Sequence, residues 1–360
     1  MPQNGIKKNL ELNEIVPSDL EEVTRFITRM SQCNAPLASA VARLSWILLE
    51  NPARVQGDPL GWLLRSPSGE VAGCMCCAPQ KFCFGHETFT LMMANSFFVD
   101  DHHKGSGTSI FLKYLQLGRR YPLFVSSANA TVARMWQKLG AYSLGNADHE
   151  TLGIVRWPPV LAEAVYRKTS SEQLAWFTAA LVSPFFRASR QLHIKNVEGE
   201  LSPLKTAEEA ASICAEHGSE KITNCRDARF LQWRYFSSIS PITRLFAFRP
   251  PAGEKHFMVA VSFQNRGYKQ QIRALQVLDI WGEADPQTVR AIASCLWREF
   301  GQQIDMLVFR CLNPIQQQAL MSKGFKVRPF PAPIAWCIDK FELLPAKTWY
   351  FVPADGDMFL

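Results

Sequence analysis

No apolar run in this sequence reaches the length of about 18 residues that a membrane-spanning helix needs. The nearest approach is Leu174 to Phe186, "LAWFTAALVSPFF", which is short and contains Pro184. It reads as a buried linker helix; a membrane-surface role would call for a basic face beside the aromatics, and none is evident. Charge is scarce too. Asp, Glu, Lys and Arg make up 20% of the chain, below the usual share, which argues against a disordered or solvating polypeptide. The 39 basic and 32 acidic side chains form no dense Lys/Arg stripe, so the net charge of +7 suits an anionic small ligand and gives no ground for a nucleic-acid partner. The opening "MPQNGIKKNL" lacks the apolar core of a secretory signal, so a cytoplasmic location with reduced thiols is expected. Cys74, Cys76, Cys77 and Cys83 are clustered, but no second pair follows at zinc spacing. Their setting, "EVAGCMCCAP", reads as a buried strand in which Cys acts as a small hydrophobe, and no metal is expected. Neither a GxxxxGK[ST] nor a GxGxxG phosphate motif occurs.

What the chain does contain is core material. Apolar residues are 47% of 360, enough for two domains. Helical and strand periodicities alternate in an order that runs twice. A strand near residue 10 precedes helices at "LEEVTRFITRM" and "VARLSWILLENP", a hairpin over "PLGWLLRSPSGEVAGCMCCAP", and the apolar strand "TFTLMMANSFFV". After a glycine loop and helix come the strand "YPLFVSS", the helix "ATVARMWQKLG" and a last strand, "ETLGIVRW". The second half opens with a strand at "HIKNVEGE" and closes with one at "PIAWCIDKF". Local echoes, "ARLSWILLENP" against "ARFLQWRYFSSISP" and "QKLGAY" against "MSKGFKV", repeat at about 185 residues, a duplicated domain rather than a solenoid. The expected division is 1–156, a helical connector over 157–192, and 193–360, with a mixed α/β sheet in each half.

The loop between the long apolar strand and the next helix is "VDDHHKGSGTSIFLKYLQ", Val99 to Gln116. A strand that turns through glycines into a helix leaves backbone N–H groups free at the helix start, and the helix dipole adds positive character. Gly105, Ser106, Gly107 and Thr108 would supply those groups, with His103 and Lys104 beside them. On its own the loop is also compatible with a plain turn.

Further on, "NATVARMWQKLGA" begins with Asn129 and closes on Lys-x-Gly. With His102-His103-Lys104-Gly105-Ser106-Gly107, it resembles, in order and spacing, the two motifs of the GNAT family of acyl-CoA-dependent N-acyltransferases, over roughly residues 8–156. The resemblance implies two tandem GNAT-like domains, each a mixed twisted sheet flanked by helices. It implies that the amides of Gly105 to Thr108 hold the pyrophosphate of acetyl-CoA or another acyl-CoA, with His102 and Lys104 alongside. It implies that the strand edge at Phe97, Phe98 and Val99 and the side chain of Asn129 meet the pantetheine arm. Two positions depart from the pattern: His102 stands for Arg or Gln, and Trp136 for the Tyr that protonates the leaving thiolate, a task indole cannot perform at neutral pH. The second half reads "LDIWGEADPQTV" where the glycines would be, so it is expected not to bind CoA.

Acyl transfer to an amine needs a proton acceptor and N–H donors at the developing oxyanion. Asn95, Asp100 and His102 stand as the catalytic candidates on this strand and loop, and Asp101, His86 and Glu87 are further bases in reach by sequence. The function expected is N-acylation of a small amine such as an amino sugar or amino acid. An aminoacyl-tRNA-dependent transferase of the Fem type and a non-catalytic CoA-binding module stay open beside it.

Overall fold

The computed structural model describes residues 10–32, 35–126, 128, 130–143, 148–189, 198–217, 221–239, 243–251, 255–267, 270–282, 284–310, 312–330, 334–336 and 349–352. The first half runs β1 (Glu11–Glu14), α1 (Leu20–Ser31), α2 (Leu37–Leu48), β2 (Gly61–Arg65), β3 (Val71–Phe84), β4 (Glu87–Val99), α3 (Gly107–Gln116), β5 (Leu123–Val125), α4 (Ala130–Lys138), β6 (Tyr142–Ser143) and β7 (His149–Ile154). A helical pair follows, α5 (Trp157–Thr169) and α6 (Glu172–Ser189), and α6 continues through Pro184. The second half runs β8 (Glu200–Pro203), α7 (Ala207–Ala215), β9 (Thr223–Asn224), α8 (Ala228–Leu231), β10 (Thr243–Arg249), β11 (Phe257–Arg266), β12 (Ile272–Trp281), α9 (Pro286–Phe300), β13 (Met306–Arg310), α10 (Pro314–Met321), β14 (Lys326–Pro329) and β15 (Ile334–Trp336). The expected strand "HIKNVEGE" falls mostly on residues 190–197, outside the described ones, and β8 begins at its last residue, Glu200.

The two sheets have matching plans. The first is ordered β1-β2-β3-β4-β5-β15-β6, with β9 paired to the far end of β3, and the second is β8-β10-β11-β12-β13-β7-β14. All neighbours are antiparallel except β4 with β5 and β12 with β13. The sixth place in each sheet is filled by a strand from the other half. The expectation that "ETLGIVRW" closes the first unit and "PIAWCIDKF" the second is therefore corrected: β7 enters the second sheet and β15 the first. Side chains explain the exchange. Glu150 on β7 lies opposite Arg310 of β13 and Arg328 of β14, and its carboxylate accepts from both, at 2.8 and 2.6 Å, with Arg266 adding a third contact at 3.2 Å. On β15, Trp336 donates its indole N–H to the Leu139 carbonyl at 2.9 Å and lies 6.1 Å from the Trp136 ring.

The halves also meet through their sequence echo. Trp46, from "ARLSWILLENP", stacks on Trp233, from "ARFLQWRYFSSISP", at 4.8 Å between ring centroids. Each indole N–H donates to the other's backbone carbonyl, at 3.2 and 3.1 Å. Such reciprocity is what a pseudo-twofold axis between duplicated units produces. The same core takes in Phe26, Leu44 and Ile47 of α1 and α2 together with Phe230 and Tyr235 of the second half.

Candidate functional site

The site is built where β4 and β5 part. Their parallel pairing covers only Met92 to Ala94 on β4 and Leu123 to Val125 on β5, and β4 runs on unpaired on that side to Val99. Tyr114 on α3 pins the base of the fork. Its hydroxyl has two carbonyls within donating reach, Met92 O at 2.6 Å and Phe124 O at 3.1 Å, and accepts from the Phe124 N–H at 3.3 Å. Burial pushes the phenol well above its ordinary pKa, so it holds its proton. Tyr114→Phe is expected to lower stability by about 1–3 kcal/mol, because backbone groups on both strands lose a buried partner; a urea denaturation midpoint measures this.

Just past the fork, β4 carries a bulge. Cys76 faces Asn95 and Cys74 faces Phe98, so Ser96 and Phe97 together oppose Met75. Ser96 takes a left-handed conformation, φ 53°, unusual for a residue with a Cβ. Its hydroxyl donates to Asn95 Oδ1 at 2.7 Å. Asn95 is only 3% exposed, and its Nδ2 meets no acceptor among the described residues. A buried amide donor left without a partner costs free energy, which makes Asn95 Nδ2 a candidate to donate to a ligand.

Asn95 opens onto a cavity of about 530 Å³. Thr24, Ile27, Leu44 and Ile47 from α1 and α2 form one side, and Met75, Phe111, Val125 and Trp136 the other. The apolar residues among these belong to clusters on opposite faces of the sheet, so the cavity passes through the sheet at the fork. Among the described residues its wall contains no carboxylate and no imidazole; Arg43 is its ionisable side chain.

At the far end of β4 the glycine loop turns the chain into α3, and within it the Ser106 N–H donates to His103 O at 3.0 Å and the Thr108 N–H to Gly105 O at 3.4 Å. Gly105 adopts φ 93°, the left-handed region that glycine favours. Gly107 is the first residue of α3 and is buried; a Cβ there would come within 2.8 Å of Val99 Cγ2 and 3.1 Å of Phe97 Cζ. Ser106, the N-cap, makes no side-chain cap hydrogen bond, and the Thr108 and Ser109 hydroxyls donate backwards, to Gly105 O and Ser106 O. The helix start is therefore left uncapped by its own side chains, next to exposed Lys104, which pairs with Asp101 at 3.1 Å.

The sequence candidates divide. Asn95, Phe97, Phe98 and Trp136 line the cavity. Val99 packs at the glycine loop, beside Gly107. Asp100 lies outside the cavity wall and caps the following turn, accepting from the His102 N–H at 3.0 Å and pairing with Arg29 at 3.5 Å. The His102 bond, outweighing partial burial, holds this carboxyl below its ordinary pKa, which makes it a weak base. His102 sits exposed on the same turn, away from the wall. His86 and Glu87 are at the opposite end of β4, with eight residues from Glu87 to Asn95, roughly 27 Å of strand. Asn129 lies outside the described residues. Trp136 is a core residue, edge-on to Phe111 and Tyr114 at 5.1 and 5.9 Å. Sequence reading missed the α1–α2 wall and Tyr114. The spacing of Thr24, Thr28 and Ser31 along one helix face was the available signal for the wall.

Cys74, Cys76 and Cys77 are buried on β3, and burial pushes their thiols up, Cys76 to about 12. No group of three His, Cys, Asp or Glu side chains converges among the described residues.

The second half shows the same frame in a closed form. Asp285 caps α9, accepting from the Gln287 and Thr288 N–H groups at 2.6 and 2.9 Å. Where β12 and β13 part, Gln316 donates to Ala284 O, Tyr350 donates to Ile280 O, and Val352 lines what is left, about 30 Å³. The helix start that is open in one half is occupied by a carboxylate in the other.

No family model matches the sequence, and no curated protein matches it. Solved structures do match in shape. A GCN5-related N-acetyltransferase from Kribbella flavida superimposes with a TM-score of 0.53 at 14% identity, covering 94% of this chain and 73% of that one. A second, from Anabaena variabilis, gives 0.54 at 12% identity, over 91% and 72%. The N-myristoyltransferase of Saccharomyces cerevisiae, solved with myristoyl-CoA, gives 0.55 at 11% identity, over 92% and 78%. At such identities the likeness is one of fold, and it spans both halves: the chain is a tandem protein of the GNAT N-acetyltransferase fold.

Proposed function

We propose that the first half is an acyl-CoA-dependent N-acyltransferase site acting on a small amine. One observation carries this reading: the forked β4 edge opens into a through-sheet cavity and ends at an α3 N-terminus without a side-chain cap, while the second half closes both features with its own side chains. The amides of Gly105 to Thr108 would hold the pyrophosphate, and the free edge of β4 from Asn95 to Val99 would pair with the pantetheine arm. An acyl-CoA supplies a thioester carbonyl whose oxygen gains negative charge as an amine attacks. Asn95 Nδ2 is the donor placed for that oxygen, held by the Ser96 hydroxyl on its other side.

CoA is expected to raise the melting temperature by several degrees at about a hundred times its Kd, a stabilisation of about 2.7 kcal/mol. No shift with CoA or any acyl-CoA would sink the reading. Asn95→Ala should lower kcat by about 100-fold with little change in donor KM, since the bond strengthens only as charge develops. An unchanged kcat would remove Asn95 from the oxyanion role.

A non-catalytic CoA-binding module is the second reading, favoured by Trp136. Its indole is packed in the core, and the neighbouring phenol of Tyr114 is engaged by backbone, so neither is set to protonate a thiolate. That module would bind CoA without turnover across an amine panel.

A further inference from the structure

We infer that the part of the cavity between α1, α2 and β4 takes the hydrocarbon chain of a fatty acyl-CoA, so the donor carries a medium-length acyl group rather than acetyl. The inference rests on reading the first half as an acyl-CoA site. Three observations support it. The first is size: at roughly the volume of a water, about 30 Å³, for each methylene-sized group, an acetyl group by itself fills only a small part of the 530 Å³.

The second is the dryness of the wall. Ile27, Leu44, Ile47, Ala94 and Phe98 are apolar. The hydroxyls of α1 are turned back on their own helix, and α2 adds Ser39 and Arg43: Thr24 donates to Leu20 O at 2.6 Å, Thr28 to Thr24 O at 2.8 Å, and Ser31 to Ile27 O at 2.8 Å. A sugar would find few donors here, whereas a hydrocarbon needs none.

The third is charge. An amine acceptor arrives as an ammonium ion, and the wall offers it Arg43 and, among the described residues, no carboxylate. A neutral chain is indifferent to that field. Asn95 Nδ2 lies where the cavity crosses the sheet, so a thioester carbonyl held there sends its chain towards α1 and α2.

The test is equilibrium binding of the full chain to CoA, acetyl-, butyryl-, octanoyl- and dodecanoyl-CoA, kept below micelle-forming concentrations. Affinity should rise about fourfold per added methylene until the cavity is filled, the fold-change that about 0.8 kcal/mol per CH₂ gives. Ala40→Trp, which fills the cavity from α2, should abolish the rise while retaining affinity for CoA itself. Equal affinity for all thioesters, with CoA still bound, would overturn the chain pocket and leave the CoA site standing. A rise that survives Ala40→Trp would place the chain elsewhere and overturn it too. Failure to bind CoA at all would overturn both readings.

Discussion

Thr108→Glu is expected to raise the melting temperature of the free protein and, at the same time, to remove the shift that CoA produces. The two effects come from one charge in one place. Thr108 is exposed in the first turn of α3, and its hydroxyl donates to Gly105 O rather than to a ligand. A carboxylate there interacts favourably with the helix dipole, about 0.3–1 kcal/mol. The same carboxylate stands where a pyrophosphate would lie, and loss of charge-assisted bonds of about 1.5–3 kcal/mol each makes a hundredfold weaker affinity the minimum expected. Asp285 in the second half sets a comparable charge at the N-cap, the place Ser106 holds in α3, with its carboxylate already on the Gln287 and Thr288 amides. Gly107→Glu should abolish binding as well, but by a coarser route, because its Cβ collides with Val99 and Phe97 before its charge acts. Melting curves of Thr108→Glu with and without CoA check the pair of signs. A CoA shift preserved in Thr108→Glu would move the pyrophosphate away from α3.

The duplicated order of elements was legible because strand and helix periodicities are strong and local. The echo containing Trp46 and Trp233 marked the duplication, and the two indoles turn out to be where the halves touch. The glycine loop was legible because only a few residue types allow a left-handed turn followed at once by a close helix start, as Gly105 and Gly107 do. Strand exchange was not legible. A six-residue strand such as His149–Ile154 pairs by side-chain complementarity with partners more than 150 positions away, and period-two patterning says nothing about which sheet it joins. Nor could sequence separate Asn95 from Asp100 and His102. All three lie within eight residues, yet the bulge turns Asn95 into the cavity while the turn after Val99 carries the other two out of it. In the cavity wall the α1 hydroxyls are engaged with their own backbone, and the polar groups beside them are Ser39, Arg43, Asn95 and Ser96.

Glu150→Gln is expected to destabilise the protein by about 3–5 kcal/mol at neutral pH. Glu150 is buried near the start of an exchanged strand, facing Arg310 and Arg328 in the neighbouring strands, with Arg266 reaching in from β11. Removing its charge leaves three guanidinium groups around a neutral amide, and Arg310 is itself only 9% exposed in its side chain. Burial alone would raise this carboxyl's pKa, but Arg266, Arg310 and Arg328 together outweigh it and hold it below its ordinary value of 4.5. A carboxylate with a lowered folded pKa adds stability that is complete above the unfolded value and fades as pH falls through the folded one. The gap between native protein and Glu150→Gln should therefore be widest near pH 7 and narrow below about pH 4.5. Guanidinium denaturation of both proteins at pH 7 and pH 3.5 measures the two gaps. A gap that does not narrow would mean that shape, not charge, holds β7 in place. If charge does hold it, the exchange of β7 is an electrostatic lock: the last strand of the first half is kept in the second sheet by three arginines that its own half does not provide.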